Sequence, residues 1–234
     1  MMNVRKYNPV LKKRLEELAG RGVAADFERF FSGLSNAERR TAGYLLGEEI
    51  LPQLQMQEQF FRLFFTVVPA NPKAFLGTFL KALVALYRQG TVRIAEVDWA
   101  GYARLASSVD RSKILVTLLP ALNAAEEVET LLRHFGSEST EARVACLIRG
   151  GTVPCYYLLF QTLRRADDNS ELLRRCCLLL MRKGDSVSFN MACVIRQYFG
   201  VENLPGTFSL KLKPYQLGRL DLNEQILLKL LKGE

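Results

Sequence analysis

The sequence of 234 residues predicts an all-α protein of stacked antiparallel helical hairpins, with an α-solenoid or helical-repeat-like architecture. Apolar residues recur at helical spacing in most segments, and residues that start helices alternate with glycines that end them. The strings RGGT (149–152) and RKGD (182–185) lie 33 residues apart, a spacing typical of a repeated helix pair. Any array of helical hairpins reuses the same start and stop residues, so a compact irregular helical bundle is the alternative.

Helix boundaries in the N-terminal part of the chain follow from capping residues. Asn8 and Pro9 suit the cap and first position of a helix, which Gly20 and Gly22 are predicted to end. Ser35 followed by Glu38 is the pattern of a capping box, in which each side chain binds the other residue's backbone N–H. These signals predict helices of about 10 to 18 residues joined by short turns.

The same signals continue through the rest of the chain. Asn71 and Pro72 are predicted to start a helix that ends at Gly90. The further predicted helix caps are Asp98, Asp110, Ser139, Thr152, Ser170, Ser186 and Asp221. The further predicted helix ends are Gly136, Gly184 and Gly200.

Two segments alternate apolar and polar residues as β-strands do. They are TVRIAEV (91–97) and TFSLKLK (207–213), and each places its apolar side chains on one face. We therefore expect one or two short extended segments near 91–97 and 207–213 in an otherwise helical chain. The pattern divides the chain into a helical array at 1–200 and, at 201–234, an extended segment with a C-terminal capping helix docked on the same domain.

The stretch LLRRCCLLLMRKG (172–184) contains two adjacent cysteines and invites an interpretation as metal or redox chemistry. Plotted on a helix, Cys176 and Cys177 fall within a broad apolar arc, whereas Arg175 and Arg182 lie in a narrow polar sector. Adjacent Cα atoms are about 3.8 Å apart, which is too close for ordinary disulfide geometry. The pattern therefore favours buried structural cysteines over a metal site or a reactive thiol.

The composition is typical of a soluble globular protein, with 49% hydrophobic and 24% charged residues. No uncharged span reaches the roughly 18 to 20 apolar residues needed to cross a bilayer, and no apolar stretch follows the basic N-terminal residues. Five cysteines without a CxxC pair favour a reducing compartment. We therefore expect a cytoplasmic protein with no membrane partner.

The residue patterns of common enzymes do not occur in the sequence. His134 is its one histidine, and it contains no GxGxxG, Walker-type, HExxH or GxSxG string. A zinc site needs four converging ligands, and the cysteines show no paired spacing that would supply them. We therefore predict a non-enzymatic protein with no catalytic residue, cofactor or metal.

The net charge of +8 is unevenly distributed along the chain, since residues 142–234 hold 14 Lys and Arg against 8 Asp and Glu. A candidate basic surface in this region consists of Arg164, Arg165, Arg174, Arg175, Arg182 and Lys183. Such side chains can neutralise the phosphates of a nucleic acid. A nucleic-acid-binding helical array that uses this basic C-terminal surface is therefore the alternative function.

The extended segment at 207–213 is a candidate partner contact. A lone strand leaves its backbone groups unpaired, so it must pair within the chain, lie along a helical groove, or add to another chain. The candidate contact residues are Phe208, Leu210, Leu212 and Tyr215. Because helical arrays present long surfaces, we predict a scaffold or adaptor that mediates protein–protein interaction, with homo-oligomer formation through the C-terminal segment left open.

Overall fold

The computed structural model describes residues 9–54, 57–166, 170–202, 204 and 224–232, and these residues form helices and turns without a β-strand. The all-α prediction is confirmed. None of the helices in these ranges combines the length and the apolar character needed to cross a bilayer. The chain divides into two compact units, Met1–Thr117 and Leu118–Glu234. The sequence-based division between residues 200 and 201 stays a prediction.

The helices of unit 1 are joined by short turns. Its α-helices within the described residues are α1 (Pro9–Arg21), α2 (Ala24–Ser32), α3 (Asn36–Tyr44), α4 (Gln57–Ala70), α5 (Pro72–Arg88), α6 (Ala100–Leu105) and α7 (Ser108–Leu118), the last of which ends one residue beyond the unit. A π-helix (Leu45–Ile50) and a 3₁₀ turn (Leu51–Gln53) follow α3 directly. A second 3₁₀ turn (Ile94–Glu96) lies between α5 and α6.

The predicted caps of α3 and α5 are present. Ser35 accepts the Glu38 N–H with its hydroxyl, and the Glu38 carboxylate accepts the Ser35 N–H at 2.9 Å, which completes the capping box. The Asn71 side chain accepts the Ala74 N–H at 3.2 Å, and Pro72 occupies the first turn of α5. Each cap satisfies one or two of the backbone donors that a helix start leaves unpaired.

Two other predicted caps are displaced by a few residues. The start of α7 is capped by Ser107, and Asp110 supplies the returning carboxylate of a capping box. The start of α12 (Ser186–Phe199) is capped by Asp185, which accepts the Ser188 N–H at 2.8 Å. In both places two capping side chains lie close together in the sequence, so composition alone does not decide which one is the cap.

The predicted extended segment at 91–97 is not a strand, since its centre is the 3₁₀ turn Ile94–Glu96. The residues on either side, Arg93 and Val97, have extended backbone. The alternation arises because Val92, Ile94 and Val97 are buried in unit 1 while Arg93 and Glu96 are exposed. Since no strand lies beside the segment within the described residues, a turn satisfies its backbone better than a strand would.

The core of unit 1 contains an aromatic cluster of Phe60, Phe61, Phe64, Phe65, Phe79, Trp99 and Tyr102. Phe64 is fully buried at its centre, with ring centroids 5.3 Å from Tyr102, 5.9 Å from Trp99 and 6.0 Å from Phe79. Trp99 is also fully buried and donates its indole N–H to the Ile94 carbonyl at 3.0 Å. The cluster joins α4 to α5 and α6 through edge-on ring contacts.

Unit 2 contains the remaining α-helices of the described residues and one 3₁₀ turn (Leu119–Ala121). The α-helices are α8 (Ala125–Phe135), α9 (Thr140–Gly150), α10 (Val153–Arg165), α11 (Ser170–Lys183), α12 (Ser186–Phe199) and α13 (Glu224–Lys232). Ser139 and Thr152 cap α9 and α10 as predicted. α13 packs on α10 and α12 and buries Leu227, Leu230 and Leu231, so the C-terminal helix belongs to the core of this unit.

A buried polar chain joins α10 to the start of α12. The Tyr156 hydroxyl lies 2.6 Å from the Ser188 hydroxyl, and Ser188 in turn donates to the Asp185 carboxylate. Tyr156 and Ser188 are both fully buried. Because the Tyr156 and Ser188 hydroxyl groups both have hydrogen-bond partners, unit 2 avoids the cost of a buried unsatisfied polar group, about 1–3 kcal/mol.

Candidate functional site: a basic groove in unit 1

Unit 1 contains a groove of about 1090 Å³ that is lined by α2, α3, the π-helix, α5 and one residue of α7. Its charged lining is unbalanced, because two carboxylates, Glu28 and Glu48, face six cations. The cations are Arg29, Arg39, Arg40, Lys73, Lys81 and Lys113. We refer to this surface, with its six cations, as the basic groove.

The basic groove reflects the charge of unit 1 as a whole. Residues 1–117 hold 17 Lys and Arg against 11 Asp and Glu, a net charge of +6, and residues 118–234 hold 15 against 13, a net charge of +2. The excess of Lys and Arg in residues 142–234 is therefore offset, within unit 2, by the acidic residues of 118–141. Viewed by structural unit, the basic excess lies in unit 1.

The floor of the groove is made of small residues. Gly47 in the π-helix lies so close to α5 that a Cβ atom there would be 3.1 Å from both the methyl group and the backbone oxygen of Thr78. A Cβ atom at Gly43, one turn earlier, would lie 3.6 Å from the Thr78 hydroxyl oxygen, which is an ordinary contact distance. Without side chains at these positions, the π-helix approaches α5 closely and the groove floor consists largely of backbone and small side chains.

The π-helix is held in place by its buried side chains and by an ion pair. Leu45, Leu46 and Ile50 are buried in the core of unit 1, while Glu48 points to the groove. Lys12 on α1 forms an ion pair with Glu49 at 2.9 Å on the opposite side of the turn. Short π-helical segments within helices are frequent at functional sites. Here the segment contributes one glycine, Gly47, and the Glu48 carboxylate to the lining of the groove.

Three ammonium groups follow one face of α5. Lys73, Gly77 and Lys81 are spaced by four residues, so they lie above one another on the helix at steps of about 6 Å. Gly77 has no side chain, which leaves space on this face of α5. The Lys113 ammonium lies in that space, 3.1 Å from the position that a Cβ atom of Gly77 would have. Lys113 therefore fills the gap between Lys73 and Lys81. We call these three residues the lysine row.

The arginines form the other wall of the groove, on α2 and α3. Arg39 donates to the carbonyls of Phe31 and Ser32 at 2.8 and 3.0 Å, which satisfies the C-terminal end of α2 and fixes the guanidinium. Arg29 and Arg40 are exposed and make no ion pair or side-chain hydrogen bond with other described residues. Their charges are available to a ligand.

The carboxylates in the groove neutralise little of this charge. Glu48 lies 4.0 Å from the Lys81 ammonium, and both side chains are largely exposed, at 46% and 69%. A pair of this kind contributes about 0–1 kcal/mol because water screens it. The groove keeps an excess of positive charge, with the half-exposed ring of Tyr44 on its edge.

The candidate basic surface of unit 2 lies on α10 and α11, and half of its residues have local contacts. Lys183 donates to the Ile148 carbonyl at 2.8 Å and lies 5.9 Å from the centroid of the Tyr156 ring. The Arg164 guanidinium lies 6.0 Å from the Tyr198 ring centroid, and Arg174 is 3.9 Å from Glu171.

All six residues of this surface are exposed. Arg165, Arg175 and Arg182 all lie at the surface of unit 2. Arg165 also lines a smaller pocket of about 540 Å³, where Arg143 pairs with Glu129. The role of these six residues as a nucleic-acid surface stays a prediction. The candidate tail residues Phe208, Leu210, Leu212 and Tyr215 lie outside the described residues.

The cysteines of unit 2 are part of its core, as predicted. Cys155, Cys176, Cys177 and Cys193 are buried and Cys146 is half-buried, and all five are free thiols. Burial raises the pKa of the Cys176 and Cys177 thiols to about 12, and the nearby Arg175 offsets only part of the effect at Cys176. Groups with such high pKa values are protonated at neutral pH and are poor nucleophiles.

The raised pKa values predict that the protein loses stability in alkali. Thiols with a pKa of about 12 in the folded state and about 9 when unfolded ionise first in the unfolded state. The unfolded state therefore binds fewer protons than the folded state between these values, and the free energy of unfolding falls as pH rises through this range. Urea denaturation at pH 8, 9.5 and about 11 would measure the slope.

A Cys176→Ala/Cys177→Ala variant separates the thiols from the lysines and tyrosines that also ionise in alkali. We expect its free energy of unfolding to fall less steeply with pH than that of the unchanged protein. Equal slopes for the two proteins would show that these thiols ionise as readily in the folded state as in the unfolded one.

Comparison with known proteins identifies no relative. No protein-family model matches the chain, and neither the curated proteins nor the solved structures include a match.

Within the described ranges, no three His, Cys, Asp or Glu side chains lie together as metal ligands would. The basic groove is therefore assessed from its own geometry and charge.

Proposed function

We propose that the protein is a non-enzymatic helical scaffold or adaptor, and that its basic groove binds an acidic segment of a partner protein. The observation that carries this proposal is the charge imbalance of the groove, where six cations face two carboxylates. A cleft lined by one sign of charge attracts ligands of the opposite sign and accelerates their association. Clusters of Arg and Lys are a recurring means of recognising acidic segments.

Two features favour a protein ligand over a nucleic acid in this groove. Glu28 and Glu48 would repel every phosphate of a nucleic acid, whereas a peptide can place a Lys or Arg beside them. Proteins that bind single strands commonly stack successive bases on several exposed aromatic rings. In the groove lining Phe75 is buried, Phe31 is half-buried, and Tyr44 is exposed.

The proposed architecture is a stack of antiparallel helical hairpins. Its support is local: α9 and α10 are separated by Gly151 and Thr152, α11 and α12 by Gly184 and Asp185, and each pair packs together. Both glycines have positive φ, the conformation with which many helices end. Stacked pairs of this kind would present extended surfaces suited to a scaffold.

We also propose a cytoplasmic location. The support is the state of the five cysteines, which are free and, for the most part, buried as small apolar side chains. A secreted domain with this many cysteines would commonly pair them in disulfides.

The second candidate function is nucleic-acid binding through the basic surface of unit 2. The observation in its favour is that Arg165 on α10 and Arg175 and Arg182 on α11, the next helix along the chain, are exposed. This function predicts affinity that falls by several powers of ten between about 50 and 200 mM salt, because each phosphate contact releases counterions.

A charge-reversal experiment tests the proposed function against this alternative. The probes are a fluorescent polyglutamate peptide and a fluorescent single-stranded oligonucleotide of similar charge, and binding is followed by anisotropy. The groove variant is Lys73→Glu/Lys113→Glu, and the matched control is Arg174→Glu/Arg175→Glu on unit 2. We expect the groove variant to bind the peptide at least about tenfold more weakly, while the control changes affinity less than about twofold.

Other outcomes would contradict the proposal. Failure of the unchanged protein to bind the peptide, or equal loss in both variants, would exclude the groove as a specific site for acidic segments. Tight oligonucleotide binding that only the Arg174→Glu/Arg175→Glu variant loses would support the alternative instead. Circular dichroism of both variants would confirm that their helices are intact.

A further inference from the structure

The lysine row has a regular spacing that restricts the form of its ligand. Lys73 and Lys81 leave α5 eight residues apart on one face, and the Lys113 ammonium lies beside Gly77, halfway between them. Each step of four residues is about 6 Å long, so the row spans about 12 Å. A ligand that pairs with all three ammonium groups must repeat its negative charges at the same interval.

We infer that the basic groove binds an acidic α-helix whose carboxylates are spaced by four residues along one face. This inference rests on the proposed function and specifies the class of partner. Glu or Asp residues at positions i, i+4 and i+8 of a helix repeat at about 6 Å, which matches the lysine row when the two helices lie side by side. The Gly77 gap matters because it lets the Lys113 ammonium join the row.

The groove is large enough to accept a short helical segment. A helix of about 12 Å with a diameter of about 10–12 Å occupies roughly 1000 Å³. The groove has a volume of about 1090 Å³. About two turns of helix can therefore lie along it.

The groove walls also suit the flanks of such a helix. Arg29 and Arg40 are exposed opposite the lysine row and can pair with further carboxylates. Glu28 and Glu48 can receive a Lys or Arg of the ligand, which would fix its direction and register. Gly77 is also notable because glycine inside a helix lowers helix stability relative to alanine. Its presence in the middle of α5 leaves room for the Lys113 side chain to cross the helix.

Two helical peptides of identical composition test this inference. Both have about 20 residues, long enough to form a helix alone, and both carry the same number of Glu residues. One places three Glu residues at i, i+4 and i+8, and the other spreads them around the helix. We expect the first peptide to bind at least about tenfold more tightly than the second.

A charge exchange then tests the register. We expect Lys113→Glu to weaken binding of the first peptide at least about tenfold. A third peptide, in which Lys replaces the middle Glu, should bind the Lys113→Glu variant with most of the original affinity. It should not bind the unchanged protein in this way. Lys13→Glu, on the exposed surface of α1 away from the groove, is the matched control and should leave the affinity unchanged.

The outcomes separate this inference from the proposed function. Equal binding of the two peptides, weakened by Lys113→Glu but not by Lys13→Glu, would overturn the helical register and leave an acidic segment as the ligand. Loss of binding without recovery in the charge exchange would do the same. If neither peptide binds and a single-stranded oligonucleotide does, both the inference and the proposed function are wrong.

Discussion

Replacing Phe64 by alanine is expected to lower the free energy of unfolding of unit 1 by about 3–5 kcal/mol. The ring is fully buried and contacts Phe79, Trp99 and Tyr102, so its removal leaves a cavity that these rigid rings cannot fill. The cost combines the lost burial of apolar surface with the lost contacts around the cavity. This is the largest effect that we expect from truncating a single side chain in unit 1.

The protein carries its own probe for this measurement. Trp99 is the single tryptophan of the chain and lies in the same aromatic cluster, with its ring centroid 5.9 Å from that of Phe64. Its fluorescence during urea denaturation therefore reports the unfolding of unit 1. The matched control is Leu105→Ala, which removes an apolar side chain that is 71% exposed and should change stability by less than about 0.5 kcal/mol. Similar losses for the two variants would contradict the assignment of the cluster as the core.

Replacing Cys177 by aspartate is expected to cost more than about 4 kcal/mol at neutral pH, a large fraction of the roughly 5–15 kcal/mol that stabilises an ordinary folded protein. The Cys177 side chain is fully buried, and its thiol lies 3.7 Å from the Ala192 carbonyl oxygen. A carboxylate there would lose its hydration and face a carbonyl oxygen, and the nearby charge of Arg196 would offset only part of this cost. Cys177→Ala keeps the site apolar and should cost only about 1–2 kcal/mol.

The pH dependence of the aspartate variant identifies the cause of its instability. Burial raises the pKa of a carboxyl group above its unfolded value of about 3.9, so the folded variant binds more protons than the unfolded one above that pH. Its free energy of unfolding should therefore fall, relative to Cys177→Ala, as pH rises from about 4 to 7. Urea denaturation followed by circular dichroism measures both variants. A constant difference across this range would indicate a steric cause.

Local signals in the sequence predicted the helices and the buried cysteines well. The Ser35–Glu38 box depends on residues three apart, and the apolar arc around Cys176 follows directly from helical periodicity. Alternation at 91–97 was misleading because a turn with buried residues at its ends produces the same pattern as a strand. A strand requires a neighbouring strand, which a local pattern cannot reveal.

The basic groove was not predicted, for a physical reason. Charge counted along the chain does not show which cations share a surface, and the count directed attention to residues 142–234 instead. The spacing of Lys73 and Lys81 by eight residues was visible in the sequence and placed both on one helix face. Lys113 joins them from α7 only because Gly77 leaves space, and that contact depends on tertiary packing.

The π-helix at Leu45–Ile50 makes the groove sensitive to the number of residues in the chain as well as to their identity. It closes its turns with one more residue per hydrogen-bonded ring than an α-helix does. Deleting a single residue there would remove the wide turn and restore ordinary α-helical winding, while the residues on either side would keep nearly the same orientation. Gly47, whose close approach to Thr78 of α5 forms the groove floor, lies within the turn that would shorten. The groove floor would therefore change although no cation of the groove had been substituted.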